Sequence, residues 1–314
     1  MLILSRASFV LLAVLLLAGC DDWVVAGLAD RYKEDFHFTY PLSTGGRLEM
    51  ETFNGSVEIS GWDQNTVDIA GTKYASTQNR LKDLKIEVSP SPNSIVIRTV
   101  RPLSRLGNAG ARFVIRVPRR TELASISSSN GSIRVESVEG MARLKTSNGA
   151  VRTRGATGGL DIRTSNAAVE VLEGTGANTL HSSNGSIHAE VRRGSLDAST
   201  SNGAITARLL ESDSKPVRLE SSNGRIEVDM DRVRDVRVET SNASITVRLP
   251  SDAGAELHAR TSHGNINCDF GVTTEPGAAG RPGFDKHRLE GTIGKGGPLL
   301  DLVTSNGSIR LSRL

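Results

Sequence analysis

Apolar and polar residues alternate with a period of two along most of this chain, and one short polar phrase breaks the alternation again and again. The phrase reads Ser/Thr-Ser-Asn-Gly/Ala-x-Ile/Val, as at Ser128-Ser129-Asn130-Gly131-Ser132-Ile133. Copies are centred on Asn54, Asn130, Asn148, Asn166, Asn184, Asn202, Asn223, Asn242, His263 and Asn306. From Asn130 to Asn202 the spacing is 18 residues at every step, and the next three steps are 21, 19 and 21. A fixed period of this size marks a repeat architecture, in which each unit buries its apolar face against the next.

Aligned on the asparagine, the copies resolve into columns. Six residues before it stand Ala142, Leu160, Leu196 and Val217, with Asn178 as the exception, and four before it stand Leu144, Ile162, Leu180 and Leu219. Two before it is always Ser or Thr. Three after it is always Ile or Val, as at Ile133, Val151, Val169 and Ile187, and five after it come Val135, Val171, Ala189 and Val228. Charged and polar residues fill the positions between. Each repeat is thus predicted to be two short strands, each with one face inward, joined at the Asn-Gly corner. The inward parity changes from even to odd offsets across that corner, so one residue there must turn the chain. Asn and Gly tolerate positive φ most cheaply, and because Ala167 and Ala243 replace the glycine twice, the asparagine is the expected left-handed residue.

Two folds fit a two-strand repeat. In an antiparallel meander each copy would be a hairpin with an Asn-Gly turn. In a single-stranded parallel β-solenoid of about 18–21 residues per coil, equivalent residues stack about 4.8 Å apart. The solenoid puts like beside like, so the asparagines form an internal hydrogen-bonded ladder and the Ser/Thr positions a second. It explains the uniform recurrence of an inward polar residue, and it is the architecture we expect. His263 takes the asparagine's place once in this ladder.

Outside the regular stretch the pattern is weaker. Phe36, Phe38 and Tyr40 alternate with His37 and Thr39, and further alternating strands are predicted over 84–88, 95–100 and 112–117. The motif at Asn54 is separated from Asn130 by 76 residues, room for about four decayed coils. Residues 36–118 are therefore expected to be an irregular section that caps the regular solenoid over 119–314, with Trp62 closing the end of the core. Residues 272–297, with Pro276, Gly277, Gly280, Pro282 and Gly283, interrupt the period and read as a loop insertion.

The N-terminus has its own logic. An apolar run from Phe9 to Leu17 behind Arg6 is too short to span a membrane and fits a signal segment over 1–19. It ends in Leu17-Ala18-Gly19-Cys20, which resembles the lipobox of bacterial lipoproteins and makes Cys20 the expected lipidated residue. The acyl chains would anchor the protein by burying methylenes in the bilayer. Asp21 and Asp22 follow; by resemblance to Gram-negative lipoproteins, an acidic residue there favours the inner membrane, with the body of the protein facing the periplasm. Residues 20–35 read as a tether.

Composition narrows the chemistry. Aromatic residues are only 4% of the chain, which argues against an aromatic sugar-binding groove, and the core must be aliphatic. The formal charge of +3 falls to about +2 once Arg6 leaves, too little to draw nucleic acid. No catalytic triad order, zinc spacing, phosphate loop or dinucleotide fingerprint is present, and no cofactor is implied. Asp161 and Asp197 share an outward column two coils apart, roughly 10 Å by strand spacing, which would suit an inverting glycosidase. Scattered surface acids are the simpler reading. Cys268 falls in an inward apolar column and reads as a small buried thiol.

Glu51-Thr52-Phe53-Asn54-Gly55-Ser56-Val57-Glu58-Ile59-Ser60-Gly61-Trp62-Asp63, Val114-Ile115-Arg116-Val117-Pro118 and the following Ser-Asn-Gly copies together resemble a bacterial β-strand-repeat family, the putative adhesins, a domain of unknown function. The resemblance covers roughly 36–314 and implies a β-solenoid at the cell envelope with no catalytic residues. The expectation is a lipid-anchored, extracytoplasmic, non-enzymatic binding, adhesin-like or structural module. It would meet the membrane through Cys20 and an envelope protein or glycan through its side faces. A polysaccharide-active enzyme and an envelope-stress accessory or sensor are the alternatives.

Overall fold

A computed structural model describes residues 31–103, 107–211, 215–274 and 286–314. The chain is a parallel β-solenoid, and each coil is named below by its corner residue. In the Asn166 coil, Leu160–Thr164 leads into the corner and the strand beginning at Val169 leaves it. Leu160, Ile162 and Thr164 are buried while Arg163 between them is exposed, the two-residue period of a strand with one wet face.

Stacking is in register. Ahead of the corner Ala142 pairs with Leu160, Leu196 with Val217 and Val217 with Val236. Beyond it Val151 pairs with Val169, Ile187 with Ile205 and Ile205 with Ile226. The inward residues of both strand rows, from Leu48 to Leu311, form one aliphatic core. The single inward asparagine of the apolar columns, Asn178, is buried and donates to Gly176 O and Ser195 O, both at 3.1 Å.

The turn geometry differs from the expectation. No asparagine of the corner column has positive φ. Left-handed residues lie instead at the second bend of the coil, at Ser137, Gly155 and Glu173, each seven residues past its asparagine. The corner glycines answer a different need. A Cβ on Gly224 would stand 1.6 Å from Gly203 O, and one on Gly149 would stand 1.9 Å from Gly131 O. Close approach of successive coils, rather than a left-handed φ, excludes the side chain.

Both ends depart from simple stacking. The Asn54 coil lies directly against the Asn130 coil, with Met50 opposite Ile126 and Ile59 opposite Val135. The residues between them therefore do not form four further coils. They fold outside the Asn54 coil, where Ser94–Val100 lies parallel to Arg47–Glu51 and Ala109–Pro118 parallel to Val57–Trp62. Antiparallel strands then cover Ser94–Val100 and Ala109–Pro118: Lys85–Ser91 on one row, and Thr66–Ala75 followed by Tyr32–Pro41 on the other. A six-residue helix, Gln78–Asp83, begins at Thr77, whose side chain accepts from Arg80 N. The first strand starts inside the stretch expected to be a tether. Phe36 packs edge-on to the core ring of Phe113 at 5.3 Å between centroids. Trp62 is half-buried, with Nε1 donating to Thr66 O at 2.8 Å and Arg116 lying over its ring.

At the other end, chain order and spatial order diverge. Val236–Thr240 pairs with Leu299–Thr304, which in turn pairs with Ala255–Thr261. Ile245–Leu249 likewise pairs with Ile309–Arg313, which pairs with Ile266–Cys268. The last coil of the chain is thus inserted between the Asn242 and His263 coils. The stretch 272–297, expected to be a loop, contributes two strands. Arg288–Ile293 runs antiparallel to Ala255–Thr261 and closes the end of the sheet, and Val272–Thr273 adds to its far side.

Candidate functional site

The corner column is the most extended chemical feature of the molecule. Each Ser/Thr two residues before the asparagine is buried, and in most of the regular coils its hydroxyl links two coils. Thr146 Oγ1 accepts from Gly149 N at 3.1 Å and donates to Gly131 O at 3.1 Å. Ser221 Oγ accepts from Gly224 N at 2.9 Å and donates to Gly203 O at 3.2 Å. At the alanine corners only the inter-coil bond forms among the described residues, as from Thr164 to Gly149 O and from Thr240 to Gly224 O.

The asparagine side chains make a continuous ladder. Each Nδ2 donates to the Oδ1 of its neighbour toward the N-terminal end. The ladder runs from Asn306 through Asn242, Asn223, Asn202, Asn184, Asn166, Asn148 and Asn130 to Asn54, with bonds of 2.7–2.8 Å. Asn54 Nδ2 closes it on Ala109 O at 2.9 Å. Parallel amides polarise one another along such a chain. His263 occupies the outermost coil in space, where no further asparagine follows. The ladder is not internal as expected: the asparagines from Asn130 onward are exposed at the rim of the corner. The buried polar column is the Ser/Thr one. The reason is geometric, because the inward parity changes at the corner and the asparagine stands where neither face is inward.

Immediately before the asparagine stands a second outward column that the sequence also carries. From the Asn130 coil onward Ser129, Ser147, Ser165, Ser183, Ser201, Ser222, Ser241, Ser262 and Ser305 occupy it without exception, and all but Ser129 and Ser183 are exposed. An outward serine at each of these coils is not required by packing, and that regularity is the signal that a reading confined to inward columns misses.

Two shallow depressions open beside the serine column. One, with a cavity volume of about 240 Å³, lies at its N-terminal end among Glu51, Thr52, Phe53, Thr99, Arg101 and Lys145. The other, of about 270 Å³, lies further along among His181, Ser199, Glu220 and Glu239. In the second, His181 Nδ1 and Ser199 Oγ are 2.9 Å apart.

A family model, Toastrack DUF4097, matches residues 33–312. The chain belongs to the Toastrack family. No curated protein matches it. Three solved structures are similar to it. A putative cell adhesion protein from Clostridium sporogenes is 13% identical, over 90% of this chain and all of the other, with a TM-score of 0.23. A putative adhesin from Bacteroides fragilis is 12% identical, over 90% of this chain and 97% of the other, with a TM-score of 0.39. A putative lipid binding protein from Parabacteroides distasonis is 12% identical, over 90% of this chain and 96% of the other, with a TM-score of 0.47.

Elsewhere on this Toastrack chain many outward charges pair with one another. Arg163 pairs with Asp161 at 3.0 Å, Arg152 with Glu170 at 3.1 Å, and Arg248 with Asp229 at 2.5 Å. Asp161 and Asp197 lie in one column with Thr179 between them. Asp161 is engaged by Arg163, and neither aspartate lines either depression. Among the described residues no group of three His, Cys, Asp or Glu side chains could hold a metal ion. Cys268 is half-buried near the C-terminal end, and burial pushes its thiol up from the ordinary value, away from the reactive thiolate. Cys20, Asp21 and Asp22 lie outside the described residues. No helix among the described residues is long and apolar enough to cross a membrane.

Proposed function

We propose that this Toastrack protein is a lipid-anchored, extracytoplasmic solenoid that serves as a non-enzymatic binding module of the cell envelope. The exposed serine column carries this reading. It lies beside a solvent-facing asparagine ladder, and the two present an uncharged strip of hydroxyl and amide groups to an extended partner. Such groups hydrogen-bond a polar partner without the desolvation cost of a buried charge. The strip is built on strands held in register by the buried Ser/Thr column, so it is presented without ordering on contact.

The anchor rests on Leu17-Ala18-Gly19-Cys20, and placement at the inner membrane facing the periplasm rests on Asp21 and Asp22. Fractionating cells that express the wild type and Cys20→Ser checks this. The wild type is expected in the membrane and the variant in the soluble periplasmic fraction; a variant that stays in the membrane removes the lipid anchor from the reading. Binding is tested by capture from solubilised envelope with the purified chain as bait. Replacing Ser165, Ser183 and Ser201 together by Glu should abolish capture. Hydrolysis of an envelope glycan by the wild type but not by a double Asp161→Asn, Asp197→Asn variant would overturn the non-enzymatic assignment.

A further inference from the structure

The N-terminal depression is where the repeat breaks its own rules. In the Asn54 coil the column of serines is interrupted by Phe53, which is buried beneath the guanidinium of Arg101, 4.5 Å above its ring. Gly55 has a φ of 103°, unlike every other glycine of the corner column. Thr52 stands in the buried Ser/Thr column, whose other members bond a corner glycine. The residue is 5% exposed, yet its hydroxyl has no hydrogen-bond partner among the described residues. Thr99 Oγ1, across the same depression, is also without one. Both oxygens are shielded from solvent, so they mark a place where the repeat leaves polar groups unsatisfied, at roughly 1–3 kcal/mol each.

The lining says what the depression can hold. Arg101 reaches into it and donates to Ser129 Oγ at 3.1 Å. Lys145 lines it too, and no carboxylate among the described residues pairs with it, although Arg143 and Arg163 on either side in the sequence are paired. Glu51 is the single acid. The remaining walls are hydroxyls, Thr52, Thr99, Ser127, Ser128, Ser129 and Ser147. Two cations against one acid favour an anion. The hydroxyl-rich walls and a carboxylate acceptor favour a ligand that itself carries several hydroxyls. At about 240 Å³ the space is smaller than sites for drug-sized ligands, which start at roughly 300 Å³. It holds about one sugar ring, and it opens along the serine column, where a chain could continue.

We propose that this depression binds an acidic sugar residue of a glycan, with its carboxylate met by Arg101 and Lys145 and its hydroxyls by Glu51, Ser129 and Ser147. The proposal deepens the binding-module reading and rests on it, but it names a single site and a single chemistry.

The test is titration of the full chain with an oligogalacturonate and with its methyl-esterified form, followed by calorimetry. The acid form is expected to bind, and esterification and Lys145→Gln each to weaken binding about tenfold, the scale of one lost charge-assisted contact. Ser147→Ala removes an exposed hydroxyl of the wall and should weaken binding about threefold to tenfold. Arg152→Gln, on the far strand row, should change nothing, and the melting temperature of each variant shows that it is folded. Equal binding of the two forms, absence of binding, or an equal loss in Arg152→Gln and Lys145→Gln overturns the acidic-sugar site. Capture of an envelope partner that survives Lys145→Gln would leave the wider binding role standing without this site.

Discussion

The coils from Asn130 to Asn202 and the two ends of the molecule solve the same problem by opposite means. In the middle each coil is offered an identical neighbour on both sides. Repetition alone then sets register: valine meets valine, hydroxyl meets glycine, amide meets amide. At the ends there is no next coil, and an open row of strand N–H and C=O groups would invite another chain. The protein closes the N-terminal end with antiparallel strands, Lys85–Ser91, Thr66–Ala75 and Tyr32–Pro41, and the C-terminal end with Arg288–Ile293. None of these carries the motif, because a strand running the other way cannot join an Asn ladder. Repetition builds the shaft, and its interruption ends it. The interruption is also where distinctive chemistry collects, as at Thr52 and Arg101.

The sharpest way to break this comparison is to remove the last coil. In a simple stack, deleting the C-terminal coil would shorten the solenoid and little else. Here Leu299–Thr304 and Ile309–Arg313 stand inside the stack, with the Asn242 coil on one side and the His263 coil on the other. Ending the chain after Pro298 should therefore cost on the order of 5 kcal/mol and detach Ala255–Ile293 as a unit. Hydrogen exchange would show protection lost from Val236 onward. A truncated protein with normal protection over Ala255–Thr261 would mean that the insertion is not what holds that end.

The same insertion marks the limit of what could be read from sequence. The inward columns, the parallel stacking and the corner were legible because each rests on a local period repeated many times. The order of the coils was not. Ile309 and Ile266 carry the same signature, so nothing in the pattern says which of them lies against Ile245. Residues 272–297 looked like a loop because antiparallel strands such as Arg288–Ile293 have no partner in the motif. The exposure of the asparagines was misread for a related reason: a column of polar residues looks internal when every other column is assigned by the two-residue period, and that period fails at the corner. His263 was in fact the clue to the end of the stack, since the outermost coil is the one that needs no amide to pass on.

Substitutions along the ladder sharpen the contrast between middle and end. Asn202 donates to Asn184 and accepts from Asn223, so Asn202→Asp removes one donor and sets a carboxylate against Asn184 Oδ1. The expected loss is about 1–2 kcal/mol at neutral pH. Protonation restores an O–H donor, so the folded carboxyl is pushed above its unfolded value and stability recovers as pH falls through it. His263→Asn should do the reverse and gain about 0.5 kcal/mol by adding a rung beyond Asn306. Thermal melts at two pH values separate the cases. An Asn202→Asp variant with the wild-type melting temperature throughout would mean that the ladder decorates the corner without holding it.

The smallest expected effect lies at the C-terminal closure and depends on charge. Glu290 of the capping strand accepts from Arg288 at 2.8 Å and from Arg260, on the strand it caps, at 3.0 Å. Arg288 chiefly, and then Arg260, hold the Glu290 carboxyl below its ordinary value against the opposing effect of burial. A carboxylate whose folded pKa is depressed stabilises the protein above its unfolded pKa, and that contribution fades as pH falls through the folded value. The groups are partly exposed, so the contribution is about 0.5 kcal/mol and weaker in salt. Glu290→Gln should lower the melting temperature at neutral pH by a degree or two, and the gap from wild type should close on acidification below the carboxylate range. No comparable pH dependence should follow Asn202→Ala, because the ladder of the shaft is uncharged. A Glu290→Gln deficit that persisted unchanged in acid would show that the cap is fastened by its backbone pairing alone, with Arg260 and Arg288 serving only to keep its outer face wet.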